Sequence, residues 1–184
     1  MTALISLHNA LFDRIERAGN VLLPLFARFA FAAVLLVYYW NSGLTKLGDG
    51  IFGLFSPSIG AYSQIFPKKL EAAGYDVSQF GVFEWAVVMA GTYAEFLLPL
   101  LIVLGLATRL AALGMIGFVV LQSLTDIYGH GATDPKTLGA WFDRLSDGVI
   151  LDQRLLWVFL LTVLVVKGAG ALSLDALLRR RTTA

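Results

Sequence analysis

Four stretches of this sequence are long and apolar enough to demand a lipid environment, and they constrain the fold more than any other feature. Residues 21–40 read VLLPLFARFAFAAVLLVYYW with Arg28 as the only charge; at about 1.5 Å per residue their helix matches a ~30 Å hydrocarbon core. Similar stretches occupy about 82–106, 110–125 and 155–174. The link Ala107-Thr108-Arg109 is too short for anything but a tight return, so the second and third spans run antiparallel. The expected fold is all-α: a single domain, residues 1–184, built as a four-transmembrane-helix up-down bundle. The first span exceeds a signal-peptide apolar core and no cleavage site follows its aromatic end, so it is expected to be retained. Pro99 is expected to kink the second span, and Gly114 and Gly117 to give the third a small-residue contact face.

Composition narrows the chemistry. Mean hydropathy is +0.75, and 58% of the 184 residues are apolar. The absence of cysteine removes disulfide exchange, thiolate catalysis and Cys-held metal or iron–sulfur centres within the chain. The two histidines, His8 and His130, lie too far apart in the expected topology to hold a haem together. No metal site, nucleic-acid partner or self-contained catalytic motif is expected, and no covalent cofactor; the principal partner is the lipid bilayer.

The connecting segments carry patterns of their own. Leu4, Leu7, Leu11 and Ile15 recur at helical spacing, predicting an amphipathic N-terminal helix along the membrane surface. The long loop between Gly43 and Gly81 is expected to pack on the bundle mouth as short helices on the periplasmic side, with Ser56 as N-cap, Pro57 as first helical residue and Gly74 as a stop. The loop from Tyr128 to Gln153 is expected to be solvated. Ser173-Leu174-Asp175 is expected to cap a last short helix bearing Arg179, Arg180 and Arg181. Cations are denser on the short segments beside the two termini than on the long loops, which predicts both termini on the cytoplasmic side of a bacterial-type inner membrane.

Charges inside spans cost ~2.5–3.5 kcal/mol each at a helix centre, so each needs a partner. Counting helical rise from the span ends places Arg28 and Glu95 each about 10 Å from the same face, with Lys167 near that depth. The expectation is one polar layer of Arg28, Glu95 and Lys167, either a structural ion pair or a functional pocket. A second cluster is expected at the opposite mouth from Lys46, Glu84, Gln122, Asp126 and His130, whose members can also simply reach water. Tyr38, Tyr39, Trp40, Trp85 and Trp157 read as an interfacial belt, with any surplus lining a slot for a planar ring.

Phe26-Ala27-Arg28-Phe29 running on to Ser42-Gly43-Leu44-Thr45-Lys46-Leu47, then Ala94-Glu95, Leu104 to Ala112 and Gly168 to Asp175, together resemble the DoxX family of membrane proteins. That resemblance implies a four-helix membrane bundle associated with respiratory, sulfur or oxidative-stress redox chemistry. It points to a membrane subunit of a redox-linked complex that binds quinone or quinol, alone or with other subunits or further copies of itself. Arg28, Glu95, Lys46, Glu84, Asp126, His130 and Lys167 are the candidate binding residues. The alternatives are a proton-coupled small-solute carrier using Glu95, or an accessory anchor for a soluble enzyme or metal-stress partner.

Overall fold

The computed structural model describes residues 2–182, and within them four helices are long and apolar enough to cross a membrane. Helix α1 covers Thr2–Lys46, α4 Val82–Leu104, α5 Thr108–Gly129 and α7 Val149–Lys167. Between them lie the short helices α2 (Ile59–Ile65), α3 (Pro67–Ala72) and α6 (Pro135–Leu138), and α8 (Leu174–Thr182) follows. No strand occurs among the described residues; a lone bridge joins Leu47 to Pro57.

The amphipathic N-terminal stretch is helical, but no break separates it from the first span. At about 1.5 Å per residue α1 is a rod of roughly 68 Å. Its first seventeen described residues, Thr2 to Ala18, are all exposed, and the stripe of Leu4, Leu7, Leu11 and Ile15 has no cover from the rest of the chain. Pro24 lies inside α1 and Ala32–Leu36 forms a π turn, yet the helix continues through both. α1 therefore ends six residues beyond the expected limit at Trp40, which proves decisive for the site.

One core joins all four spans. Ala27, Phe31, Leu35 and Tyr39 of α1 meet Ile102 of α4, Ala111, Ala112, Met115 and Val119 of α5, and Leu161 and Leu164 of α7. Gly114 admits Leu98 of α4, whereas Gly117 faces open space, so only half of the expected small-residue face is used. Gly43 allows a close approach of α1 to α4: a Cβ there would stand 2.7 Å from the Phe96 ring.

A smaller core fastens the long loop to the first half of α4, where Ala61, Tyr62, Leu70 and Val88 are buried with Ile65, Phe66, Val77 and Phe80 around them. The cap of α2 is Ser58, whose Oγ accepts from the Ala61 amide at 3.2 Å. The expected Ser56 and Pro57 start is thus displaced: Pro57 is held by the bridge to Leu47 before the helix begins. Gly74 does end its helical segment, with φ 61°.

The fourth span is shifted toward the N-terminus. α7 begins at Val149, inside the loop expected to be solvated, and stops at Lys167, because Gly168 and Gly170 adopt φ of 76° and 78°. Residues 168–173 form an irregular link. After it, Ser173 Oγ accepts from the Ala176 amide and caps α8 as expected.

Candidate functional site

The buried polar centre of the bundle is built by α1 and α4. Ser42 and Lys46 lie four residues apart on one face of α1, opposite Glu95 of α4. Lys46 Nζ donates to both carboxylate oxygens of Glu95, at 3.0 and 2.9 Å, and to Ser42 Oγ at 2.7 Å. Ser42 Oγ in turn donates to Glu95 Oε1 at 3.0 Å. Lys46 is 4% exposed and Glu95 3%, so this is a dry, fully paired ion pair. Glu95 stands nine residues from the end of α4, roughly 13 Å, and thirteen from its start, roughly 20 Å, which places it near the middle of the span. A lysine on a helix directs its side chain back toward the N-terminus, so the last residue of α1 reaches down into the bundle.

An aromatic wall adjoins this pair. Tyr39 shares the Ser42 and Lys46 face of α1 and is completely buried, so it is a core residue and not part of an interfacial belt. Its ring lies edge-on to Tyr38 (4.9 Å between centroids), Phe118 (5.7 Å) and Trp157 (6.4 Å). Gln122 connects the two tyrosines: its amide donates to Tyr38 Oη at 2.9 Å, and its carbonyl accepts from Tyr39 Oη at 3.4 Å. Trp40 and Trp85 spend their indole N–H groups on the backbone oxygens of Phe96 and Phe55.

A second ion pair stands further along α5. Arg154 Nη2 donates to Asp126 Oδ2 at 2.5 Å, and Nη1 to Ser123 Oγ at 3.0 Å. Two π turns flank this pair, Thr125–Gly129 and Val149–Gln153, a distortion that often accompanies functional positions in helices.

The expected layer of Arg28, Glu95 and Lys167 does not form. The Arg28 guanidinium serves backbone carbonyls instead: Nε donates to Ile102 O (3.0 Å), Nη2 to Val103 O (2.5 Å), and Nη1 to Ala169 O (3.1 Å) and Leu172 O (2.6 Å). These oxygens belong to the last turn of α4, where a helix end leaves carbonyls short of partners, and to the irregular link after α7. Arg28 is therefore a clamp that ties the end of α4 to the link after α7, and four of its five donors are engaged. Lys167 donates to Asn20 Oδ1 at 2.9 Å on α1.

The expected mouth cluster also divides. Lys46 belongs to the central pair and Asp126 to Arg154. Glu84 pairs with Lys69 and accepts from the Gly81 amide at 3.0 Å, closing the start of α4. His130 Nε2 donates to the Gln64 carbonyl at 3.0 Å and fixes α2 to the end of α5. Gln122 joins the tyrosines, as described. The depth count failed because it assumed that α1 begins at Val21 and ends at Trp40.

Sequence reasoning overlooked Ser42, Arg154 and Asp175. The i, i+4 spacing of Ser42 and Lys46 was the available signal for the first, while Arg154 was hidden in an apparent loop. Asp175 looked like part of a cap, but its carboxylate accepts from the Ala107 and Thr108 amides, at 2.7 and 3.0 Å, and fastens α8 to the α4–α5 turn. Burial pushes its pKa upward, but these amide hydrogen bonds outweigh that and hold it below the ordinary carboxylate value. Among the described residues no group of histidines and carboxylates could hold a metal ion.

Fold and site together define a four-span helical membrane protein with a buried lysine–glutamate pair at the centre of its bundle. The DoxX family model matches residues 23–125, more than half of the chain and including both members of that pair. The protein belongs to the DoxX family. No curated protein and no solved structure matches it.

Proposed function

We propose that this chain is the membrane subunit of a redox-linked complex and receives a quinone or quinol head group beside Lys46 and Glu95. The observation that carries this reading is the composition of the buried site: an ammonium donor, a carboxylate acceptor and a hydroxyl held together in an apolar, aromatic-lined interior. Those are the groups a quinone requires. Its carbonyl oxygen accepts from Lys46, and the hydroxyl of the reduced form donates to Glu95. Reduction adds protons and electrons in equal number. In this reading Glu95, Lys46 and Ser42 handle the protons, and a partner subunit supplies the electrons.

Tyr38 is exposed and Trp157 half-buried beside it, and these two rings offer edges and faces to a planar ring. The denser cations beside the two termini support a cytoplasmic position, at an inner membrane, for the face with the α4–α5 turn and α8. The test is titration of the purified protein with a short-chain ubiquinone analogue, read by quenching of tryptophan fluorescence. Saturable quenching is expected, with Glu95→Gln weakening it about tenfold, the loss of one charge-assisted hydrogen bond. Absence of saturable quenching in the wild type would remove the proposal.

The mid-span position of Glu95 favours a second reading, a proton-coupled carrier in which that carboxylate changes protonation as access alternates. Proton-driven solute uptake in proteoliposomes that stops in Glu95→Gln would select it.

A further inference from the structure

A groove of about 380 Å³ opens at the bundle end that carries the α4–α5 turn. Thr108, Arg109 and Leu110 from the start of α5, Lys167 and Gly168 from the end of α7, and Arg179 of α8 are among its lining residues. We propose that this groove binds the phosphate of an anionic membrane lipid.

The charges are arranged for an anion. Arg109 and Lys167 come from different helices to one opening, and among the described residues neither takes part in an ion pair. Lys167 is oriented by the Asn20 amide oxygen, a neutral partner that leaves its charge uncompensated. The acid on the groove wall, Asp175, has its carboxylate directed to the Ala107 and Thr108 amides. Gly168 lets the guanidinium lie against the end of α7: a Cβ there would stand 3.2 Å from Arg109 Nε. A guanidinium and an ammonium converging on one space suit a phosphate, which takes a forked donor and a point charge together.

The surroundings indicate a lipid as the source of that phosphate. The groove lies where two spans end, the level at which headgroups sit. Leu110 forms part of its lining and is strongly exposed, as are Leu113, three residues on from Leu110 in α5, and Val166, next to Lys167 in α7. A diacyl lipid can place its phosphate between Arg109 and Lys167 and its chains over these side chains, whereas free phosphate gains nothing from them.

The test uses the full-length protein in detergent, with native mass spectrometry and thermal unfolding as readouts. Phosphatidylglycerol, phosphatidylcholine and inorganic phosphate are added in separate arms. Phosphatidylglycerol is expected to give a retained adduct and raise Tm, and the other two are not. The Arg109→Gln/Lys167→Gln variant is expected to lose about tenfold in adduct, through two charge-assisted contacts, while Lys136→Gln on α6 keeps it. Both groove side chains are exposed, and circular dichroism checks the fold; Arg109→Gln alone, with a smaller loss expected, serves if the double variant does not fold. An adduct undiminished in the folded groove variants would overturn the proposal. Stabilisation by inorganic phosphate equal to that by the lipid would overturn its lipid source.

Discussion

Arg28 and Glu95 are both charges inside spans, yet the bundle treats them in opposite ways. Arg28 meets only backbone oxygens, at the end of α4 and in the link after α7; Glu95 meets only side chains, near mid-span. Backbone carbonyls neither titrate nor rotate away, so the Arg28 end is a fixed joint. Lysine, serine and glutamate can each exchange a proton or turn toward a ligand, so the central pair is where chemistry is possible. Intramembrane charge alone does not separate a fixed joint from a group free to exchange a proton; the nature of the partners does.

The largest effect should follow from separating the central pair. Glu95→Leu leaves a buried ammonium without its counter-ion and should cost ~3–5 kcal/mol in unfolding free energy, whereas Lys46→Met/Glu95→Leu, which removes both charges, should return close to wild-type stability. Reversible unfolding in mixed micelles measures this, and a double variant no better than the single one would contradict the pairing. At the other end, Arg28→Lys keeps the charge but loses the fork, and about 2–3 kcal/mol of stability should go with it. Quinone affinity of that variant should remain at the wild-type value, because the joint lies apart from the proposed site at Lys46 and Glu95.

A smaller loss is expected at the second ion pair. Asp126→Asn keeps a hydrogen-bond acceptor but removes the charge opposite Arg154; since Asp126 is partly exposed, ~1–2 kcal/mol is expected from the same unfolding series. A null result would show that Ser123 and water suffice for Arg154.

The mildest effect concerns the Asp175 latch. Its folded-state pKa lies below the unfolded value, so its contribution is fully present above the ordinary carboxylate range and is lost as pH falls through the depressed folded pKa. Hydrogen exchange at the Ala107 and Thr108 amides, corrected for intrinsic rates, should stay protected at mildly acidic pH and open only below that range. Asp175→Asn should be open throughout.

These contrasts also explain what the sequence could reveal. The four spans followed from hydropathy and length, since lipid leaves a backbone few alternatives to helix. The cap at Ser173 and the stop at Gly74 followed from local chemistry. What could not be counted was relative depth. That α1 continues from Thr2 to Lys46 depends on the partners of its ends: residues 41–46 stay helical where Gly43 closes on Phe96 and Lys46 finds Glu95. The early end of α7 likewise reflects Gly168 and Gly170 turning so that Ala169 and Leu172 present their oxygens to Arg28. Periodicity reports which face of a helix is apolar but not how far one helix slides along another, so Lys46 and Glu95 were both recognised as candidates and assigned to different layers.

The most direct measurement of the central claim is quinone retention by the charge-free Lys46→Met/Glu95→Leu variant, compared with wild type and Arg28→Lys in native mass spectra after mild extraction. The account predicts a folded double variant without quinone, beside an Arg28→Lys protein that still carries it. Quinone retained by the double variant at the wild-type level would contradict it.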